Sequence, residues 1–196
     1  MKKFFFLTAA VALTTLFLGC NKNMDAPELG VEIGGYTWAT RNVDTPGKFA
    51  ANPEDPGMYY QWNRKKGWQA TGAVAGWNSS PDTGTAWVSA NDPCPAGWQV
   101  PSQAQYTALR IAGYIWEVTK KGGIFGSGAN TIFLPATGWR NWSDGSLSNV
   151  DENGNYWSRE QDFPDMAYEL IFNSSSSDAT ATRYKAFGHS IRCVKK

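Results

Sequence analysis

Histidine is nearly absent from this chain: His189 is the only one. Cysteine is scarce, with three in 196 residues, and the formal net charge is +1. Each scarcity excludes something. One histidine and no closely spaced cysteines leave too few soft ligands for a structural zinc site. A near-neutral chain with no basic run has no electrostatic footprint for nucleic acid. Long helical periods and internal repeats are missing as well, which excludes bundles, coiled coils and solenoids. No paired constellation of nucleophile and base, or of two carboxylates flanking a bond, can be read from the spacing. His189 reads as a structural or surface residue rather than a general base. No cofactor motif is found, and the chain is expected not to be an enzyme.

A long apolar run occurs once, at the start. Lys2 and Lys3 precede Phe4 to Phe17, and Leu16-Phe17-Leu18-Gly19-Cys20 closes the run. A positive start, an apolar core and a small residue before a cut make a secretory signal. The run is too short for a confident spanning helix. Gly19 immediately before Cys20 resembles the bacterial lipobox. That resemblance implies cleavage before Cys20, a diacylglycerol on its sulfur and acylation of the new amine with a fatty acid such as palmitate. The membrane partner is then reached through a lipid anchor, since each buried CH₂ contributes about 0.8 kcal/mol. The expected organisation is a signal peptide at 1–19, a lipidated tether at 20–30 and one domain at 31–196. The expected location is the bacterial cell envelope, at the outer membrane. The tether holds Asp25 as its one acid before Glu28, a weak form of acidic export signals.

Without residues 1–19 the count is 16 Lys+Arg (18 less Lys2 and Lys3) against 17 Asp+Glu. Assigning Cys20 to lipid leaves Cys94 and Cys193. An even pair in an oxidising compartment is expected to form one disulfide.

All ten tryptophans follow the signal, among 20 Gly and 10 Pro. Short strands, turns and irregular loops around an aromatic core are the expected result. Residues 31–43 predict a strand or short hairpin, 44–58 a Pro-rich loop, 58–62 a strand and 63–91 a long ordered loop. Ser102 with Gln105 predicts a capping box, with Tyr106 and Leu109 on one helix face and Gly113 as the stop. Thr131 to Pro135, Ala167 to Asn173 and Ser190 to Val194 read as strands. Asp144-Gly145 and Asn153-Gly154 read as hairpin turns.

The blocks WATRNV (38–43), GMYYQW (57–62), DPCPAGWQVP (92–101), LPATGWR (134–140), NYWS (155–158) and the ending HSIRCVKK occur in this order. Together they resemble the Fibrobacter succinogenes major paralogous domain family, over about residues 36–194. VPSQAQYTAL at 100–109 looks like the RLPTEAEWEYA segment of formylglycine-generating-enzyme-type domains, and CPAGW is similar to the opening of many C-type lectin domains. These resemblances imply an α+β, C-type-lectin-like fold: small twisted antiparallel sheets, one or two helices and long irregular loops. They imply too that Cys94 and Cys193 tie an early core segment to the last strand. No WND or EPN triplet is present, so calcium-dependent sugar binding does not carry over. Nor does the chemistry of the enzyme domains, whose reactive cysteine pair has no counterpart here.

Trp38, Trp62 and Trp98 are expected in the core. Trp139, Trp142, Tyr156 and Trp157 flank polar turns. They read either as packing residues or as stacking faces for sugar rings, with Arg140, Asn141 and Asp144 supplying hydrogen bonds. Asp151 to Asn155 reads as a hairpin turn or, alternatively, a cluster of oxygen ligands without EF-hand spacing. Two functions fit: an envelope-anchored binding module for carbohydrate or another surface polymer, or a structural component of a surface appendage or envelope complex with a protein partner.

Overall fold

A computed structural model describes residues 28–196. The expected signal peptide at 1–19, Cys20 and residues 21–27 of the expected tether lie outside the described residues. No helix among the described residues is long and apolar enough to cross a membrane.

The chain opens with a hairpin of β1 (Val31–Ile33) and β2 (Tyr36–Trp38). Gly34 and Gly35 both take positive φ at its tip, the backbone that a tight right-twisted hairpin demands. Residues 44–58 are loop. β3 (Tyr59–Gln61) and β4 (Gly67–Trp68) follow, and the rest of 63–91 is loop ending in a 3-10 turn at Ser89–Asn91. After β5 (Trp98–Gln99) comes α1 (Gln103–Ile111), capped as its sequence predicts. The Gln105 amide donates to Ser102 Oγ at 3.1 Å, and the Ser102 amide donates to Gln105 Oε1 at 2.7 Å. Tyr106 and Leu109 are its buried face. Then come β6 (Tyr114–Glu117), β7 (Gly122–Ser127), β8 (Asn130–Pro135), β9 (Trp139–Arg140), β10 (Leu147–Ser148), β11 (Asn153–Gln161), β12 (Met166–Asn173), β13 (Ser177–Tyr184), β14 (Gly188–His189) and β15 (Val194–Lys195).

Among the described residues these strands form four sheets, ordered β1-β2-β15-β5, β10-β9-β14-β3-β4, β11-β12-β13 and β6-β7-β8. Every pairing between named strands is antiparallel. With one helix, the class is α+β. The last two strands are interior ones: β15 lies between β2 and β5, and β14 between β9 and β3.

Two apolar clusters fill the molecule. One gathers Trp38, Tyr106, Leu109, Phe125, Tyr156 and Phe172; the other gathers Tyr60, Trp62, Trp87, Trp98, Trp157 and Ile191. Neighbours in sequence fall on opposite sides: Trp38 and Ala39, Tyr156 and Trp157, Val194 and Cys193. Successive strand side chains point to opposite faces, so strands buried on both faces divide the interior into two. Trp38, Trp62 and Trp98 are buried, as their sequence context predicts. Cys94 and Cys193 are joined, with Cα atoms 6.1 Å apart and a sequence separation of 99.

Three local readings need correction. Asn153-Gly154 is not a turn; it opens β11, and the turn lies just before it, where Asn149 and Asp151 take positive φ. Gly154 is required for another reason: a Cβ there would sit 2.0 Å from the Phe172 ring. The stretch 190–194 is mostly irregular and pairs as a strand only at Val194–Lys195. The strands β6, β7 and β13 were not expected from the sequence.

Candidate functional site

The β9–β10 hairpin carries the sequence-predicted residues, and the structure separates them into two groups. Its six-residue loop is held by its own polar side chains. Asn141 Oδ1 accepts from the Ser143 amide at 3.0 Å, and Asp144 Oδ1 from the Ser146 amide at 2.9 Å. That amide bond holds the exposed Asp144 carboxyl below its usual range. The loop thereby presents Trp142, which is 42% exposed and meets Tyr184 edge to face at 5.5 Å.

Trp139 is half-buried at the foot of the same hairpin. The Arg183 guanidinium lies 5.5 Å from its ring and 5.5 Å from the ring of Phe187. Arg183 Nε donates to Glu169 Oε1 at 3.1 Å. Glu169 is buried on β12, and its other oxygen accepts from Asn155 Nδ2 at 2.8 Å. His189 Nε2 stands 3.0 Å from that same oxygen, off the line of a hydrogen bond, with its ring 4.1 Å from Trp157. Burial pushes the Glu169 carboxyl up, but the neighbouring His189 and Arg183 charges and the Asn155 bond outweigh it and hold it low.

Trp77, from the long 63–91 loop, closes the hairpin's other side. Its indole N–H donates to the Trp142 carbonyl at 2.8 Å, and its ring lies 4.9 Å from Trp68. The ring also lies over Gly145 and Gly188, where added Cβ atoms would sit 2.6 and 2.7 Å from it. A loop with little regular structure is thus fixed to the hairpin by the Trp77 indole, and by Arg140 through the Gln69 and Gly72 carbonyls.

Arg140, Tyr156 and Trp157 do not belong to this face, which corrects the sequence reading. All three are fully buried. Arg140 spends its donors on carbonyls of Gln69, Gly145 and Gly72, at 3.0, 2.6 and 3.1 Å. The Tyr156 hydroxyl donates to the Pro135 carbonyl at 2.8 Å, and burial pushes its pKa up to about 12. The Trp157 N–H donates to the Tyr60 carbonyl at 2.9 Å. Strand β11 alternates these two rings between the two cores, so neither meets solvent. What a polar turn next to an aromatic pair suggested was a pair of core strand residues.

Asp151 and Glu152 are exposed beside a shallow groove of about 750 Å³ that also meets Trp116 and Lys121, whereas Asn155 is buried elsewhere. No group of three or more His, Cys, Asp or Glu side chains among the described residues could hold a metal ion. Comparison with protein-family models, characterised proteins and solved structures returns no match for this chain.

Proposed function

We propose that this chain is a lipid-anchored, non-catalytic binding module of the bacterial envelope, built on a C-type-lectin-like fold of the Fibrobacter succinogenes major paralogous domain type. It holds a saccharide polymer at the face formed by Trp139, Trp142, Arg183 and Tyr184. The observation that carries this reading is Trp142: a tryptophan left 42% exposed on a loop braced by Asn141, Asp144 and Trp77. Surface aromatics fixed in place have little freedom to lose on stacking against a ring. The lone histidine is fully buried, which leaves it no access to a bond to be cut.

A glycan array probed with the chain from residue 21 onward tests this. Binding is expected, and Trp142→Ala should weaken it about tenfold or more, as loss of a central aromatic contact does, with the melting temperature held. No bound glycan, or binding untouched by Trp142→Ala, would overturn it. The anchor is tested separately: labelled palmitate should be incorporated in cells and lost in Cys20→Ser.

A second reading, an assembly component with a protein partner, draws on strand β6. It is an edge strand among the described residues, and it leaves Ile115 exposed, with Ile111 and Val118 exposed close by in sequence. Exposed apolar edge strands are templates for pairing with another chain. Crosslinking in cells that recovers only monomer would sink it.

A further inference from the structure

The chain builds its buried guanidinium groups to saturation. Arg192 donates to Asn42 Oδ1, the Ala39 carbonyl and the Phe133 carbonyl, at 2.9, 3.1 and 3.0 Å, and Arg140 is spent in the same way. Arg183 begins like them and ends differently. Its Nε is spent on buried Glu169, and two aromatic rings flank its plane. Its two terminal amino groups have no protein acceptor among the described residues, and the side chain is 32% exposed. Asn155 and His189 meet the other Glu169 oxygen, so that carboxylate does not fold back onto both amino groups.

Beside the Arg183–Glu169 pair, the hairpin sets Trp139 on Arg183 and Trp142 on Tyr184, and their polar tips add open donors to this face. The indole N–H groups of Trp139 and Trp142 and the Tyr184 hydroxyl likewise have no hydrogen-bond partner in the protein among the described residues. The neighbouring hairpin carboxylate, Asp144, is turned to its own loop amide. Lys185, next in sequence to Tyr184, is turned inward to the Gly84 and Pro164 carbonyls, each at 2.7 Å. A face offering donors around a fixed guanidinium fork suits planar acceptors, and a carboxylate matches the fork with two parallel bonds.

We propose that Arg183 is the anion-recognition point of this face and that its ligand is a saccharide bearing carboxylates, of the uronic-acid class. The proposal rests on the aromatic face being the binding site. A ring stacked on Trp142 and a carboxylate on Arg183 engage the two features that the hairpin and β13 bring together. Glu169 acts through Arg183, as its positioning residue.

The test uses the full chain in detergent, titrated with oligogalacturonate and with its methyl ester, which keeps the ring and removes the charge. Oligogalacturonate should bind about tenfold tighter or better, equivalent to about 1.4 kcal/mol. Raised ionic strength should narrow the gap. Arg183→Lys keeps a cation for Glu169 but loses the fork; it should weaken the acid more than the ester and bring the two affinities within about threefold. Equal affinities in the unaltered chain, or a gap untouched by Arg183→Lys, would overturn the proposal. So would polyglutamate binding as tightly as oligogalacturonate, which would mark plain attraction of anions. Loss of both ligands in Trp142→Ala supports the underlying face. Glycans bound with no preference for the acid overturn the Arg183 assignment alone, and no glycan bound at all overturns both readings.

Discussion

Arg140, Lys185 and Arg192 carry positive charge into the interior with no carboxylate bonded to them among the described residues. Carbonyl and amide oxygens stand in for the lost water, and burial still pulls all three pKa values down. Such groups are expensive to disturb singly. Arg140→Met should lower unfolding free energy by about 2–4 kcal/mol, since it strands several loop carbonyls; urea titration measures it. Trp142→Ala, on the surface, should stay within about 0.5 kcal/mol. Glu169 predicts the acid response. Its folded pKa lies below the unfolded value, so its stabilisation is complete above about pH 4.3 and is lost as pH falls through the lower folded value. Glu28, held low against burial by its bonds to Arg41 and Thr40, acts in the same direction. Denaturation midpoints should therefore hold steady down to the ordinary carboxylate range and drop below it, less steeply in Glu169→Gln.

At the scale of elements, two local devices carry checkable energies. Ser102→Ala removes the helix cap and should cost about 1 kcal/mol in thermal or urea unfolding. Gly154→Ala forces a methyl into the Phe172 ring and should cost about 1–3 kcal/mol. Phe172→Leu in the same chain should recover part of that second loss, measurable as coupling in a double-mutant cycle. These elements also show what the sequence could and could not declare. The helix was legible because Ser102, Gln105, Tyr106 and Leu109 all signal within eight residues. The first hairpin was legible only as one of two readings of residues 31–43, a strand or a short hairpin, and the Gly34-Gly35 tip decides between them. By contrast, β7 begins Gly122-Gly123, where the Phe133 ring fills the place of a side chain, so no alternation marks it. Strand β13 is written in small polar residues, and β11 buries Asn155 and Ser158, which no polarity pattern would place inside. At the site, Trp139 and Trp142 were visible as indoles beside a polar turn. Arg183, Tyr184 and Phe187 were not, since they come to the hairpin from a distant part of the chain, just ahead of β14, which pairs with β9. Nothing local distinguishes the saturated Arg140 from the half-open Arg183.

Residues 188–195 complete two of the four sheets among the described residues. The Cys94–Cys193 link spans 99 residues, and its removal should destabilise by about 2–5 kcal/mol. A melting curve with and without reductant, and the double Cys→Ser variant, should agree on that loss. The interior position of β14 and β15 has a kinetic side. Two sheets lack an inner strand until residues 188–195 arrive, because β14 must slot between β9 and β3 and β15 between β2 and β5. Pairings so distant along the chain form slowly. A chain emerging from its N-terminus first can make its helix and its local hairpins, but it cannot shut either of these two sheets before residues 188–195 are present. Closure of these two sheets therefore depends on residues 188–195, and a chain halted before them holds its local hairpins around an unfinished interior.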